Sequence, residues 1–186
     1  SWEINKRTIH DVHPEGGVMS LSHALQISSN VGIAKAAQVL TDTIQYENLR
    51  DFGFGVATGI RLPGEGRGML RHPKEWGIQS AVSLAIGYEI SVTPLQMAMA
   101  YGALANGGKL YKPRIVKEVR DAQGKIEKVP SRVVRRVVSP TVTKEISEVL
   151  VGVIEDGTGR RAGLSTFAVA GKSGTTRAWS NGSYEE

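Results

Sequence analysis

Two short polar motifs lie far apart in this sequence and have residue types that could act on one substrate. Ser28-Ser29-Asn30 is an S-x-N motif, and Lys172-Ser173-Gly174 is a K-[ST]-G motif. In that order they match two of the three motifs of a class of serine acyl transferases, whose third motif is S-x-x-K. Each triplet alone is a weak signal. Their order and wide separation make them a candidate acyl-transfer site.

The chemistry of acyl transfer explains these residue types. It requires a serine nucleophile, a base, an oxyanion hole and a group that holds the carboxylate of the substrate. Lys172 would supply positive potential near the proton path and that carboxylate. Ser28 could relay a proton, and the Asn30 amide could hold the substrate backbone. We therefore predict Ser28, Asn30 and Lys172 as catalytic residues.

The residues after Lys172 are predicted to bind substrate. Ser173 and Thr175 have hydroxyls that could bind a carboxylate, and the Thr175 N–H could be one oxyanion donor. Gly174 has no side chain, so an extended peptide could lie beside it as an added strand. The predicted substrate-binding residues are Ser173, Gly174, Thr175 and Thr176.

A phosphate-binding loop is the alternative interpretation of the second motif. Gly171, Lys172 and Ser173 match the last three positions of G-x-x-x-x-G-K-[ST]. The leading glycine of that pattern would fall at Thr166, and the residues after Ser173 are rich in helix breakers rather than helix formers. A phosphate loop needs a helix there. The sequence therefore argues against a nucleotide site.

Composition excludes several other classes. The net charge of +5 comes from basic residues that are mostly scattered and not interleaved with aromatic ones, so no nucleic-acid partner is expected. There is no cysteine, which excludes disulfides and thiolate metal sites. His10 and His13 are the only histidines with close spacing. We predict no metal and no cofactor. No apolar run approaches the ~20 residues of a membrane-spanning helix.

Apolar spacing and helix-capping residues predict four helical regions. Two helices within residues 19–40 are joined by a tight link at Ser28–Asn30. A helix at 42–52 opens with a capping box of Asp42 and Gln45. The others begin at Thr93-Pro94, predicted as a buried central helix, and at Ser139-Pro140. The last helix has a predicted apolar face of Val142, Ile146, Val149, Leu150 and Val153.

The remaining elements are predicted as strands and loops. Residues 114–129 are predicted to form two strands around a turn at Asp121–Gly124. Residues 164–176, "LSTFAVAGKSGTT", are predicted to be a strand that carries the second motif. Residues 52–77 are rich in glycine and are predicted to be mainly loop.

Longer stretches resemble one family. "SSNVGIAKAA", "FGFGVATGIRLPGE", "AIGYEISVTPLQMAMAYGALANGG", "GTGRRA" and "AGKSGT" resemble, in order, the transpeptidase domain of class B penicillin-binding proteins. The resemblance implies an α/β fold of the α+β type, like β-lactamases and transpeptidases. Such a fold has an antiparallel sheet packed with helices plus a helical subdomain, and we expect it to be incomplete in this chain.

The resemblance also implies a function, partners and a location. It implies peptidoglycan D,D-transpeptidation through a serine acyl-enzyme and acylation by β-lactams. The implied partners are peptidoglycan stem peptides, β-lactam antibiotics, the remainder of the transpeptidase domain and the cell-wall synthesis machinery. The implied location is the extracytoplasmic, periplasmic side of the bacterial cytoplasmic membrane, with the anchor outside this chain.

The nucleophile motif of that family is missing. No lysine in the chain has a serine three residues before it. Thr141 and Lys144 have the right spacing but lie between the other two motifs, so we reject them. We expect residues 1–186 to be a single partial transpeptidase domain with both ends truncated, and the nucleophile to lie in another segment. Thr176 and Arg177 also stand where the family usually has alanine and glutamine.

Two other functions remain open at this stage. A serine β-lactamase or D,D-carboxypeptidase would use the same motifs. A non-catalytic module that binds peptide or β-lactam, or acts as a sensor, would fit the missing S-x-x-K.

Overall fold

The computed structural model describes residues 1–174 and, for the backbone alone, two short strands at 179–180 and 183–184. Thr175 and Thr176, two of the predicted substrate-binding residues, lie outside the described residues. No helix in the described part of the chain is long and apolar enough to cross a membrane.

The chain begins with a β-hairpin that the sequence patterns did not predict. Strands β1 (Trp2–Ile4) and β2 (Arg7–Ile9) pair antiparallel, with Trp2 opposite Ile9. The two turn residues between them, at positions 5 and 6, both have positive φ, which gives a tight turn matching the twist of the strands. Ile9 is buried and packs in a cluster with Ala34 and Val82. The hairpin is therefore anchored by its last residue.

Six α-helices follow in the described residues, and most begin with a side-chain cap. Their bounds are α1 (Leu21–Gln26), α2 (Asn30–Ala37), α3 (Asp42–Asp51), α4 (Ser80–Ala85), α5 (Pro94–Ala105) and α6 (Pro140–Glu155). The tight link predicted between the first two helices is confirmed. Helix α4 was not predicted. Short 3-10 turns occur at Pro73–Glu75 and Arg160–Ala162.

The predicted cap of α3 is wrong by one residue. Thr41, not Asp42, is the N-cap, and its hydroxyl accepts a hydrogen bond from the Ile44 N–H. Gln45, which was predicted to close a capping box, is buried and donates to the Ala81 carbonyl just inside α4. Tertiary packing of α3 against the region of α4 therefore overrides the local capping pattern.

The described strands form two-stranded antiparallel ladders rather than one continuous sheet. After the first hairpin, the remaining described strands also pair two by two. The pairs are β3 (Met69–Leu70) with β4 (Ile90–Ser91), β5 (Lys109–Tyr111) with β8 (Val133–Arg136), β6 (Glu118–Arg120) with β7 (Ile126–Lys128), and β9 (Trp179–Ser180) with β10 (Ser183–Tyr184). The β6–β7 hairpin is the predicted pair of strands around the turn at 121–124. The fold is mixed, with helices and antiparallel strands.

Helix α5 has the predicted capping box, but it is not buried on every side. Thr93 accepts from the Gln96 N–H, and the Gln96 side chain accepts from the Thr93 N–H. Gln96, at 0% exposure, also donates to three loop carbonyls between α3 and β3. The predicted burial is wrong for Met97 and Tyr101, which are 40% and 38% exposed. The helix packs against β5 and α6, and its buried residues Gln96, Ala100 and Ala103 share one face.

Helix α6 packs against α1 and α5 along a face rotated from the prediction. Its buried residues are Thr143, Leu150, Val153 and Ile154. Leu150 and Val153 were predicted correctly, whereas Val142 is 40% exposed. The five predicted positions do share one stripe about 100° wide, but packing against α1 and α5 buries a neighbouring stripe that includes Thr143 and Ile154.

The strand predicted at 164–176 is wrong for the described residues 164–174, which have no regular secondary structure. The segment is held instead by a backbone hydrogen bond from the Gly171 N–H to the Leu150 carbonyl. A helix directs its carbonyls along its own axis and cannot offer the row of acceptors that a strand needs. The segment therefore lies on α6 without forming a ladder.

Candidate active site

The end of α1 places Ser28 in an unusual backbone conformation. Ser28 has φ of +61°, in the left-handed region that residues other than glycine, asparagine and aspartate seldom adopt. Its N–H donates to the Leu25 carbonyl, and the Ser29 N–H donates to the Ala24 carbonyl. These two hydrogen bonds form a Schellman motif at the end of the helix, in which the left-handed position is usually glycine. A serine there costs about 1 kcal/mol in backbone strain, which points to a use for its hydroxyl.

The next residue starts a new helix. Ser29 is the N-cap of α2, is 2% exposed, and its hydroxyl accepts from the Gly32 N–H. The same hydroxyl donates to an Asp11 carboxylate oxygen at 2.9 Å. The segment Ser28–Asn30, which we call the helix link, therefore joins the C-terminal end of α1 directly to the N-terminal cap of α2.

Helix α6 supports both the helix link and the second motif. Helix α1 approaches the end of α6 so closely that a Cβ at Gly157 would collide with the Gln26 carbonyl oxygen, and a Cβ at Gly152 with the Gln26 side chain. The Thr158 N–H also faces the Gln26 carbonyl, at 3.4 Å. Since residue 171 is bonded to the same helix, α6 is the common support that brings the two motifs together.

The two motifs meet through one hydrogen bond. The Lys172 ammonium donates to the Ser28 hydroxyl with an Nζ–Oγ distance of 2.7 Å, across 144 residues of sequence. The juxtaposition predicted from the motifs is therefore present. Because Lys172 donates to Ser28 Oγ, the hydroxyl hydrogen of Ser28 remains available to a third group.

The electrostatic surroundings of Lys172 are unusual for a lysine. Its side chain is half-buried, and burial lowers the pKa of Lys172 below its ordinary value because desolvation penalises the charged form. Among the residues that the structure describes, no carboxylate forms an ion pair with it. Its recorded acceptors are the Ser28 hydroxyl and the carbonyl and hydroxyl of Ser173. Within the described residues, the Lys172 ammonium is therefore able to form an ion pair with an added anionic group.

One contributor to the site was not predicted from the sequence. The Thr158 hydroxyl and the Ser173 hydroxyl share a hydrogen bond of 2.7 Å. Thr158 lies in the turn after α6, within the stretch "GTGRRA" that was noted only as part of the resemblance. Its role depends on the turn folding back over α6, so no local pattern indicates it. Thr158 fixes the side chain beside Lys172.

The other predicted site residues are placed less directly. The Asn30 amide donates to the His10 carbonyl at 3.2 Å, so in the described part of the chain it serves the N-terminal hairpin rather than Lys172. Gly174 is exposed, and a Cβ there would meet nothing within 4 Å. Contacts within the described residues therefore do not require glycine at 174. Within residues 1–174, no group of three or more acidic or histidine side chains could hold a metal ion.

The lysine–serine contact unites the two motifs on a framework of capped helices and two-stranded antiparallel ladders. The family profile described as "Penicillin binding protein transpeptidase domain" matches residues 1–186. The chain belongs to this family.

Individual proteins and solved structures support that assignment. The chain is 36% identical to Stage V sporulation protein D of Bacillus subtilis over 91% of its length, and 32% identical to the probable peptidoglycan D,D-transpeptidase PbpC of Pseudomonas aeruginosa over 98%. These matches cover 27% and 31% of the two relatives, so the chain spans about a third or less of their length. Penicillin binding protein 3 of Mycobacterium tuberculosis, complexed with aztreonam, superposes with a TM-score of 0.87 at 33% identity, covering 97% of this chain and 43% of that one.

Proposed function

We propose that this chain supplies two of the three motifs of a peptidoglycan D,D-transpeptidase, which cross-links stem peptides through a serine acyl-enzyme and is acylated by β-lactams. Membership of the transpeptidase family supports this proposal. So does the name of the Pseudomonas relative, and the aztreonam bound to the structural neighbour. The observation that carries it is the 2.7 Å contact between Lys172 and Ser28.

The contact suits proton transfer in acyl exchange. In the first step, the hydroxyl oxygen of the nucleophilic serine forms an ester with the penultimate D-alanine, and the amide bond to the terminal D-alanine breaks. The proton lost by the nucleophile balances the proton gained by the departing amine. Ser28 can deliver that proton because its own hydrogen is not used in the bond to Lys172. In the second step, an acceptor amine attacks the ester and restores the serine.

The charge of Lys172 suits the recognition of substrate. A stem peptide ends in a carboxylate, and within residues 1–174 no carboxylate pairs with this half-buried ammonium, which attracts an anion more strongly than an exposed one does. Ser173 lies beside the ammonium and is oriented by Thr158. We propose that Lys172 and Ser173 together bind the carboxylate of the peptide or of a β-lactam. Asn30, Gly174, Thr175 and Thr176 remain predicted members of the site.

The nucleophile is proposed to come from a segment or polypeptide outside these 186 residues, together with the rest of the transpeptidase domain. No S-x-x-K is present in the sequence, and the relatives are about three times longer. The same absence favours a second candidate, a non-catalytic module that binds peptide or β-lactam. Because peptidoglycan is assembled outside the cytoplasmic membrane, we propose the extracytoplasmic side as its location, with the cell-wall synthesis machinery as partner.

The test is the rate of acylation of the full-length protein by a fluorescent penicillin. Lys172→Ala and Ser28→Ala should each lower the second-order rate constant by roughly 100-fold or more, the loss typical of removing one preorganised group. Lys144→Ala is the matched control, since Lys144 is an exposed lysine whose only recorded ion pair in the described residues is with Glu148 on the same helix. It should acylate at the wild-type rate.

Three results would contradict parts of the proposal. Wild-type acylation of Lys172→Ala would remove Lys172 from the site. Rapid release of hydrolysed penicillin would indicate a β-lactamase rather than a penicillin-binding protein with a long-lived adduct. No adduct in the wild-type protein, with reversible binding retained, would indicate the non-catalytic module.

A further inference from the structure

The N-terminal hairpin is fixed against the helices that carry the site. Gln79, just before α4, donates to the carbonyls of Ile4 and Asn5 in the hairpin turn region. The Arg7 guanidinium donates to the Ser83 hydroxyl of α4 at 2.6 Å. Together with the buried Ile9, these contacts attach both strands of the hairpin to the body of the protein. The residues that follow β2 are therefore held at a defined position.

Those residues are His10 and Asp11, and both bond to the helix link or to the residue after it. One Asp11 carboxylate oxygen accepts from the Ser29 hydroxyl at 2.9 Å, and the other accepts from the Val31 N–H at 2.9 Å. The His10 carbonyl accepts from the Asn30 amide. Three consecutive residues at the start of α2 are thus bonded to the two residues that directly follow the hairpin.

Asp11 also matches the start of α2 electrostatically. The first N–H groups of a helix have no partner within the helix, and the helix dipole favours negative charge there. Ser29 is almost fully buried, so without Asp11 its hydroxyl donor would have no partner in the described structure. A carboxylate that accepts both a hydroxyl and a backbone N–H is a strong, directional attachment.

The strained conformation of Ser28 needs such an attachment. Ser28 lies between the end of α1 and the bonded residue Ser29, and its positive φ persists only where neighbouring contacts fix the backbone. Helix α1 is only six residues long. The bonds to Asp11 supply a constraint from a separate part of the chain.

We propose that Asp11, presented by the docked β1–β2 hairpin, is a positioning residue that fixes the helix link so that the Ser28 hydroxyl meets Lys172. This inference rests on the proposed function for its consequence in catalysis. Asp11 acts through Ser29 and the N-terminus of α2, with no contact to Lys172 of its own among the recorded hydrogen bonds of the described residues. It extends the active site from two motifs to a third, N-terminal segment.

The experiment compares acylation of the full-length protein by a fluorescent penicillin in Asp11→Ala, Asp11→Asn and Glu65→Ala. Glu65 is the matched control, because its carboxylate also accepts from a hydroxyl and from backbone N–H groups, at Thr58 and Gly59, in a loop away from the helix link. Asp11→Ala should lower the acylation rate at least tenfold, since displacing a positioned group by about 1 Å costs on the order of 100-fold. Glu65→Ala should acylate at the wild-type rate.

Asp11→Asn separates positioning from loss of folding. Its amide oxygen can still accept from the Val31 N–H, so it should acylate at least threefold faster than Asp11→Ala. The loss should fall on the acylation step rather than on initial binding of the penicillin. Equal rates in the two Asp11 variants, a wild-type rate in Asp11→Ala, or an equal loss in Glu65→Ala would each overturn the inference.

A second measurement does not depend on activity. Crystal structures of the variants should retain the 2.7 Å separation of Lys172 Nζ and Ser28 Oγ in Glu65→Ala and lose it in Asp11→Ala. An unchanged separation in Asp11→Ala would overturn the role of Asp11. Failure of the wild-type protein to react with penicillin would instead count against the proposed function, and the measured separation would still decide the role of Asp11.

Discussion

The contact between α1 and α2 offers a sharp test of how the helix link is built. Gly32 lies in the first turn of α2, facing Ala24 of α1, which is buried at 2% exposure. A Cβ added at Gly32 would lie 2.7 Å from the Ala24 Cβ and 3.1 Å from the Ser29 hydroxyl oxygen. Ordinary carbon–carbon contacts begin near 3.4 Å. In Gly32→Ala the two helices must therefore separate by about 0.7 Å.

The magnitude follows from two opposing effects. Overpacking a close contact costs about 1–3 kcal/mol. Replacing glycine by alanine in a helix raises the free energy of unfolding by at most about 1 kcal/mol. Because the 2.7 Å approach is closer than real Cβ contacts, the overpacking cost should lie in the upper part of its range, and we expect Gly32→Ala to lower the free energy of unfolding by about 1–2 kcal/mol. Because Ser28 lies between these helices, we also expect acylation by a fluorescent penicillin to slow roughly tenfold.

A compensating substitution and a control make this prediction specific. Ala24→Gly removes the methyl group that Gly32→Ala would meet, so the double variant should be more stable than the sum of the single effects by at least about 1 kcal/mol. Gly102→Ala is the control, since a Cβ at this helical position meets nothing within 4 Å. It should be neutral or stabilising by up to about 1 kcal/mol.

The assay is urea denaturation followed by circular dichroism, with acylation measured on the same samples. Strictly additive effects of Ala24→Gly and Gly32→Ala would refute the argument from close contact. So would a Gly32→Ala variant as stable as the wild-type protein.

Three further predictions concern the site and its supports. Burial lowers the pKa of Lys172, so between that lowered pKa and the ordinary value of 10.5 the unfolded chain binds more protons than the folded chain. The free energy of unfolding should therefore rise with pH across this interval. Denaturation of Lys172→Met at pH 7–11 should show no such rise. Gly157→Ala, whose Cβ would collide with the Gln26 carbonyl oxygen, should lower the free energy of unfolding by about 1–3 kcal/mol in urea titrations, and a neutral effect would contradict the proposed close approach of α1 to α6. Gln96→Ala should cost about 3 kcal/mol in the same assay because three loop carbonyls lose a donor, and a loss below about 1 kcal/mol would show that water replaces it.

Elements with strong local signals could be predicted from the sequence. Thr93-Pro94 with Gln96, and Ser139-Pro140, mark the starts of α5 and α6 because capping and the fixed φ of proline act within one turn. The helix link was likewise indicated by its serine and asparagine residues. These features depend on neighbours in sequence, which a pattern can read.

Elements that depend on distant partners could not be predicted in this way. The β1–β2 strands have three residues each, and α4 has six, lengths that are marginal without tertiary contacts. The strand predicted through Lys172 was wrong because its location was decided by α6 rather than by its own β-propensity. Asp11 likewise gave no local signal, because its partners lie 18 and 20 residues further along the chain.

The candidate site shows the same division. Ser28 and Lys172 were identified from motif order and from the resemblance, and the structure brings them together. The left-handed backbone of Ser28 and the bond from Thr158 to Ser173 arise only when α1 and the turn after α6 are packed. The sequence motifs therefore indicate which side chains belong to the site, whereas the packing around α6 determines how those side chains are oriented.

The bond between Lys172 and Ser28 joins two segments that lie 144 residues apart in the sequence. A small molecule that contacts both residues would stabilise the fold, because it binds the folded chain, in which the two residues are adjacent, and not the unfolded chain. Its binding would raise the free energy of unfolding by about 2.7 kcal/mol at a free ligand concentration 100 times the dissociation constant. Thermal-shift screening could therefore find ligands of the Lys172–Ser28 site without any enzymatic readout.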